Sequence, residues 1–216
     1  MKTTIRWSAR RVDLLWTVKD RGVMPPQAGP APRGHASQRG KSQIFTSSCH
    51  DGVTFLCEII TRMDPSPHLR DARPQEHGEL TRIAHAAKSF WGYPPSYLRL
   101  WKPDLTFTPR YIERHRVRCA VLEGRILGVI ALVPLDEVGL WEVDHLWVDP
   151  KAMGLGVGRR LLDDARAWCQ SQGIERLQIA SDPDAEGFYR HLGAIPVGSL
   201  PTLIVGRTLP LLELRL

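Results

Sequence analysis

One stretch constrains this chain more than any other: a β-patterned run ending at Leu146, Trp147 and Val148, then Asp149 and Pro150, then glycines at 154, 156 and 158 leading straight into a helix-patterned run from Val157. Proline ends the ladder, and the missing Cβ atoms let successive backbone N–H groups converge on one point. The N-terminus of the helix adds about half a positive charge there. Such a strand, turn and helix can cradle a pyrophosphate; the plain alternative is a glycine turn that only lets helix and strand pack closely. A Walker loop is excluded, because Gly158 is followed by Arg159 and Arg160 where Lys and Ser or Thr are required. The dinucleotide fingerprint also fails, since Gly154 and Gly156 lead to Arg159, and Gly156 and Gly158 lead to Leu161.

Periodicity around this loop predicts a mixed sheet. A short strand over Leu69–Ala72 precedes a helix with Leu80, Ile83, Ala84 and Ala87 on one face, then shorter helices near Pro95–Trp101 and Pro109–Glu113. Strands at Arg118–Leu122 and Ile126–Leu135, joined by a glycine turn at Gly124, and a third over Gly139–Val148 form an antiparallel meander. The rhythm then changes to helix (Val157–Ser171), strand (Leu177–Ala180), helix (Ala185–Leu192, stopped by Gly193) and extended pieces broken by Pro201 and Pro210. The fold class expected is α/β (α+β), a mixed and mostly antiparallel central sheet flanked by helices.

Charge divides the chain. Residues 1–62 hold ten Lys and Arg against four Asp and Glu, whereas residues 63–216 hold nineteen against nineteen, so the whole net charge of +6 lies in the leading segment. That segment lacks a steady period and contains the Pro/Gly run of residues 25–34. Residues 1–62 are therefore expected to be a poorly structured N-terminal extension, whether a natural tail, a targeting segment or a start upstream of the natural one, and residues 63–216 the folded domain. A basic leader makes nucleic-acid binding a third-ranked alternative, testable by its salt sensitivity. No apolar run is long enough to span a membrane. The four cysteines, at 49, 57, 119 and 169, show no metal-ligand spacing, which points to a reducing, cytoplasmic setting without a metal.

The loop around Met153–Gly158 resembles the acyl-CoA signature of the GNAT acetyltransferase superfamily, and the run Asp182–Ala194, with Phe188, Tyr189 and Gly193, is similar to that family's turn, Phe-Tyr helix and glycine stop. The resemblance runs from Leu69 to about Arg215. It departs from the pattern at Met153, which stands at a Gln/Arg position, and at Asp184, where many relatives carry Asn. Neither change removes the backbone donors. The resemblance implies acetyl-CoA as co-substrate, contacted by Leu146, Trp147, Val148, Gly154, Leu155, Gly156, Val157, Gly158, Arg159 and Asp184, and direct transfer of acetyl to a primary amine in a ternary complex. A non-catalytic acyl-CoA-binding regulatory module is the alternative.

Acetyl transfer needs a neutral amine, and an alkyl ammonium with a pKa of about 10 must first lose a proton. Strand alternation puts Glu142, Asp144, Leu146 and Val148 on one face, with Val143, His145 and Trp147 on the other. The resemblance places Glu142 where relatives carry a general base, with Asp144 as the other candidate; His145 reads as a packed residue. It also implies that Tyr189 protonates the departing thiolate, and that a backbone N–H near Leu146, where the sheet splays, polarises the carbonyl. Five of the sixteen aromatic residues fall within residues 89–101, the segment expected to cover the acceptor, a small molecule before a protein. The sequence leaves the amine unnamed and a homodimer open.

Overall fold

Residues 66–216 are described by a computed structural model; the leading segment, with Cys49, Cys57, the apolar run 53–60 and the proposed boundary at Met63, lies outside them. Alternating apolar residues produce a seven-stranded sheet of order β1-β2-β3-β4-β5-β7-β6. Strands β1 (His68–Asp71), β2 (Arg116–Leu122), β3 (Arg125–Pro134) and β4 (Leu140–Val148) run antiparallel in sequence order. Strand β5 (Arg176–Ala180) lies parallel to β4, and β7 (Thr208–Arg215) pairs antiparallel with both β5 and the edge strand β6 (Ile195–Pro201). Glu123 and Gly124 both take positive φ, 50° and 76°, and close the β2–β3 hairpin with Leu122 opposite Arg125, the backbone twist that a two-residue primed turn requires.

Helices cover both faces. On one lie α1 (His77–Phe90), α2 (Pro95–Leu100) and α3 (Pro109–Arg114), whose Leu80, Ile83, Ala84, Tyr111 and Ile112 bury against Val117, Cys119, Val129 and Ala131 of the sheet. On the other, α4 (Val157–Ser171) and α5 (Glu186–His191) bury Leu161, Leu162, Ala165 and Tyr189 against Ile130, Leu132, Val143, Ile179 and Leu212. Each fully buried Leu or Ile contributes about 1.5–3 kcal/mol, so the sheet is held as the common wall of two apolar layers. Thr108 caps α3 by accepting from the N–H of Tyr111 at 3.1 Å, with Pro109 at the first helical position.

The C-terminal strands correct one expectation. Pro210 does not break the chain's last extended piece but lies inside β7. It sits one residue past the β5 ladder, which ends at the pair Ala180 and Leu211, so its missing N–H costs β5 no bond, while its carbonyl still accepts from Ser181 N–H at 2.9 Å.

Candidate active site

The glycine loop is built as an anion cradle would be. Asp149 leaves β4 and caps a short 3-10 turn by accepting from Lys151 N–H, while Arg82 of α1 holds its carboxylate at 2.8 Å. Gly154 and Gly156 take φ of 83° and 75°, left-handed values that strain any residue with a Cβ. Gly156 is the N-cap of α4 and has no side chain to cap with; the first helical bond runs from Arg160 N–H to its carbonyl. The leading N–H groups of α4 are therefore left for an external acceptor, and phosphate oxygens suit them. Gly158 is required for a different reason: a Cβ there would lie 3.3 Å from Cζ of Phe188, so α4 and α5 meet at its Cα.

Beside this loop the sheet opens. β4 and β5 pair at only three positions, Leu140 with Arg176, Trp141 with Leu177 and Glu142 with Gln178, after which they diverge and the β5-facing edge of Val143–Val148 is left without a strand partner. An extended ligand arm of amide groups can hydrogen-bond to such an edge. Leu146, Trp147 and Val148 lie on this open length, with the glycine loop at its end.

The expected alternation along β4 fails at one residue. Ala131 pairs with His145 and Leu132 with Val143, so Asp144 is the extra residue of a β-bulge. Beyond it the faces exchange: Trp141, Val143, Leu146 and Val148 pack on the α4 side, and His145 and Trp147 face α1 and α3. Glu142 and Asp144 do share a face, as expected, but it is the face of His145 and Trp147 and not that of Leu146 and Val148. Glu142 is almost wholly buried at the last paired position before the opening; Asp144 is half-buried and accepts a 2.5 Å hydrogen bond from the Tyr111 hydroxyl. The indole N–H of Trp147 donates to Nδ1 of His145 at 3.1 Å, which makes Nδ1 an acceptor and leaves the imidazole proton on Nε2, 3.6 Å from Asp144 Oδ2. His145 is thus packed and hydrogen-bonded.

Tyr189 is buried on α5, edge-on to Phe188, and burial followed by the charge of Asp182 pushes its phenol above the usual tyrosine range, so it is a proton donor and not a phenolate at neutral pH. Asp182 itself is the centre of a cluster that the sequence reading missed. Its Oδ2 is shared by the ammonium of Lys88 and by Arg207 Nη2 at 3.2 Å, and its Oδ1 accepts from the Tyr93 hydroxyl at 2.7 Å and from Asp184 N–H at 3.1 Å. Burial by itself raises the Asp182 carboxyl pKa, but the charge and hydrogen bond of Lys88, with those of Tyr93 and Asp184, outweigh it and hold the group below the usual carboxylate range. Burial lowers the Lys88 ammonium, and Asp182 offsets only part of that. Both cations lie over the rings of Tyr93 and Trp101, Lys88 Nζ at 4.7 and 4.4 Å and Arg207 Cζ at 5.3 and 4.9 Å from the centroids.

The fold therefore brings together the glycine loop, the open edge of β4, the Glu142/Asp144 pair and Tyr189's helix. Asp184, expected at the cofactor, is exposed and lies 3.1 Å from the Tyr93 hydroxyl. Asp182, two residues earlier, has the more constrained place. The one signal that could have found it is its position before Pro183, where an Asp caps a turn by reaching the N–H two residues on. Among the described residues no group of three or more His, Cys, Asp or Glu is placed to hold a metal, and no helix is long and apolar enough to cross a membrane.

Residues 78–194 match the model of the family described as acetyltransferase (GNAT) family. A curated relative, an amino-acid acetyltransferase of Ralstonia nicotianae, is 28% identical over 135 residues, which cover 60% of this chain and 26% of that protein; the chain thus spans about a quarter of that relative's length. The fold is shared with a GCN5-related N-acetyltransferase from Rhodopseudomonas palustris (TM-score 0.59, 19% identity, 70% of this chain and 96% of that one). It is shared also with the PaiA N-acetyltransferase from Thermoplasma acidophilum solved with coenzyme A (TM-score 0.58, 17% identity, 70% and 99%).

Proposed function

The chain belongs to the GNAT acetyltransferase family, and from that premise we propose that it transfers the acetyl group of acetyl-CoA directly to a primary amine of a small molecule. The observation that carries this reading is the coincidence of two features: a helix start with uncapped donors, and a parallel strand pair that opens beside a carboxylate pair. Acetyl-CoA supplies the activated thioester. The N–H groups at the start of α4, from Gly156, Val157, Gly158 and Arg159, hold the pyrophosphate, with Gly154 and Leu155 shaping the turn; Leu146, Trp147 and Val148 offer the free edge of β4 to the pantetheine amides. A backbone N–H on that edge, near Leu146, polarises the carbonyl.

One carboxylate of the pair, Glu142 or in its place Asp144, takes the proton that the acceptor ammonium must lose. Tyr189 returns one to the leaving sulfur. The two thiols among the described residues favour direct attack: burial pushes Cys119 up to about 12 and Cys169 up to about 11, so neither is an available thiolate at neutral pH. That the relative in Ralstonia nicotianae is called an amino-acid acetyltransferase supports an acceptor of amino-acid size.

The test is free CoA released from acetyl-CoA across a panel of amines. Glu142→Gln and Asp144→Asn are expected to divide, the true base losing roughly 10²–10⁴-fold in kcat and the other much less; Tyr189→Phe lowers kcat with acetyl-CoA affinity kept. Binding of acetyl-CoA with no turnover, unaltered by these substitutions, would instead identify a regulatory acyl-CoA-binding module. Labelled acetyl-CoA without acceptor should leave the protein unlabelled.

A further inference from the structure

Three segments distant in sequence converge where β4 and β5 separate: Lys88 at the end of α1 with Tyr93 and Trp101 beyond it, Asp182 two residues past β5, and Arg207 just before β7. Because β5 leaves β4 after Gln178, Asp182 lies along the diverging length, and the bond from Lys88 reaches it from the helix that packs over β3 and β4. The cluster thus lies past the end of β5 on the α1 side of the sheet, the face to which Glu142 and Asp144 belong.

Within it Arg207 is held unusually well for a residue on a turn. Its N–H donates to Ile204 carbonyl at 2.9 Å, and its own carbonyl accepts from Thr202 N–H at 3.1 Å and Thr202 hydroxyl at 3.0 Å. Its guanidinium lies over Tyr93 and Trp101, and a single nitrogen, Nη2, makes both side-chain bonds, to the Tyr93 hydroxyl and to Asp182. Nη1 and Nε donate to no group among the described residues. The ring faces already carry two cations and Asp182 is saturated by four donors, so a further ammonium has no partner left in the cluster. What remains on offer is N–H donation from a fixed guanidinium. Of the acidic groups around it, Asp182 is offset by Lys88, and Asp184, 3.1 Å from the Tyr93 hydroxyl, is exposed and screened by solvent and salt.

We propose that Arg207, fixed by Asp182, Tyr93 and Trp101, binds the carboxylate of the acceptor, so that the amines acetylated are amino acids or other amines that carry a carboxylate. The proposal rests on the acetyl-transfer reading and adds the acceptor class to it. Charge-assisted bonds of this kind are about twice as strong as neutral ones and discriminate sharply against a ligand that cannot make them.

The decisive measurement compares L-amino acids with their matched primary amides on the full chain, as kcat/KM per neutral amine, with acetyl-CoA affinity measured in parallel. Acids are expected to be preferred by at least about tenfold. Arg207→Gln should remove that preference through a higher KM for acids, with amide rates and acetyl-CoA affinity within about twofold, and Arg207→Lys should restore part of it. Equal use of acids and amides by the unaltered protein, or a loss in Arg207→Gln that falls equally on both, overturns the carboxylate site while leaving acetyl transfer standing. Failure to bind acetyl-CoA at all would overturn the underlying reading and this site with it. The acid and amide comparison needs no variant, so a poorly folding Arg207→Gln does not shield the proposal.

Discussion

The glycine loop after β4 and the Asp182 cluster after β5 are made of different materials. The loop from Asp149 to Gly158 works through its backbone: left-handed glycines, an uncapped helix start and N–H groups with no side chain in their way. In the cluster, Lys88, Tyr93, Trp101, Asp182 and Arg207 work through side chains from three segments, joined across sequence separations of 25 to 114 residues. A backbone device of this kind tolerates changes in most of its side chains and fails only where a Cβ or a charge intrudes. A side-chain cluster does the reverse, and removing one partner strands the others in a poorly solvated place.

That contrast is sharpest in stability. Lys88→Met leaves Asp182 with Arg207 as its one remaining cation, and breaking a buried pair of this type costs about 3–5 kcal/mol. A domain of this size should then lose roughly 2–4 °C in Tm per kcal/mol, while acetyl-CoA affinity of the folded protein is unchanged. Urea midpoints and a CoA titration on the same variant check both halves; a variant as stable as its parent would show that the cluster holds nothing together.

The converse belongs to the loop. Gly158→Asp presses a side chain toward Phe188 and sets a carboxylate against the pyrophosphate, a like-charge contact worth about 4 kcal/mol at 4 Å and moderate dielectric. Acetyl-CoA affinity should fall at least a hundredfold by isothermal titration. Gly154→Ala and Gly156→Ala meet nothing within 4 Å and suffer only from their φ, so each should cost roughly 1–2 kcal/mol of stability, with less effect on binding. Normal binding by Gly158→Asp would move the cradle elsewhere.

A smaller effect lies in pH. Asp182 is held below its unfolded value of about 3.9, so its contribution to stability is fully present above that pH and is lost as pH falls through the folded value. The stability difference between the parent and Asp182→Asn should stay level above about pH 5 and shrink below about pH 4. A difference that persists unchanged at pH 3 would mean that the carboxylate's charge is not what the cluster uses. Smallest of all, Tyr111→Phe removes one hydrogen bond from Asp144 and should change kcat by no more than about tenfold; no change would argue that Asp144 needs no orientation, and favour Glu142 as the base.

Local pattern made the frame legible. Leu80, Ile83, Ala84 and Ala87 spaced on one face announced α1, the hydrophobic stripe of Leu161, Leu162 and Ala165 announced α4, and Gly124 announced the β2–β3 turn, each found where expected. These signals are short-range: a helix stripe or a two-residue turn is decided by neighbours within one or two turns of chain. Where the reading slipped, the cause was a partner elsewhere. Alternation along β4 assumed a regular ladder, and the bulge at Asp144 is defined by the register with β3, which no property of residues 140–148 displays. Pro210 looked like a stop until its place one step beyond β5 made its missing N–H harmless. Asp182 went unread because Lys88 and Arg207, which make it the centre of a cluster, arrive beside it from other parts of the fold.

By itself, then, the amino-acid sequence determined the mixed sheet, the helix after β4 and the glycine loop that leads into it, because dihedral preference and apolar periodicity act over a few residues and need no distant partner. Only the tertiary structure decided that β4 and β5 part after Glu142, that Glu142 and Asp144 face α1 with His145, and that two cations, two rings and one carboxylate meet past the end of β5. Those outcomes depend on strand register and on side chains meeting across tens of residues, and such contacts exist only once the chain has closed on itself.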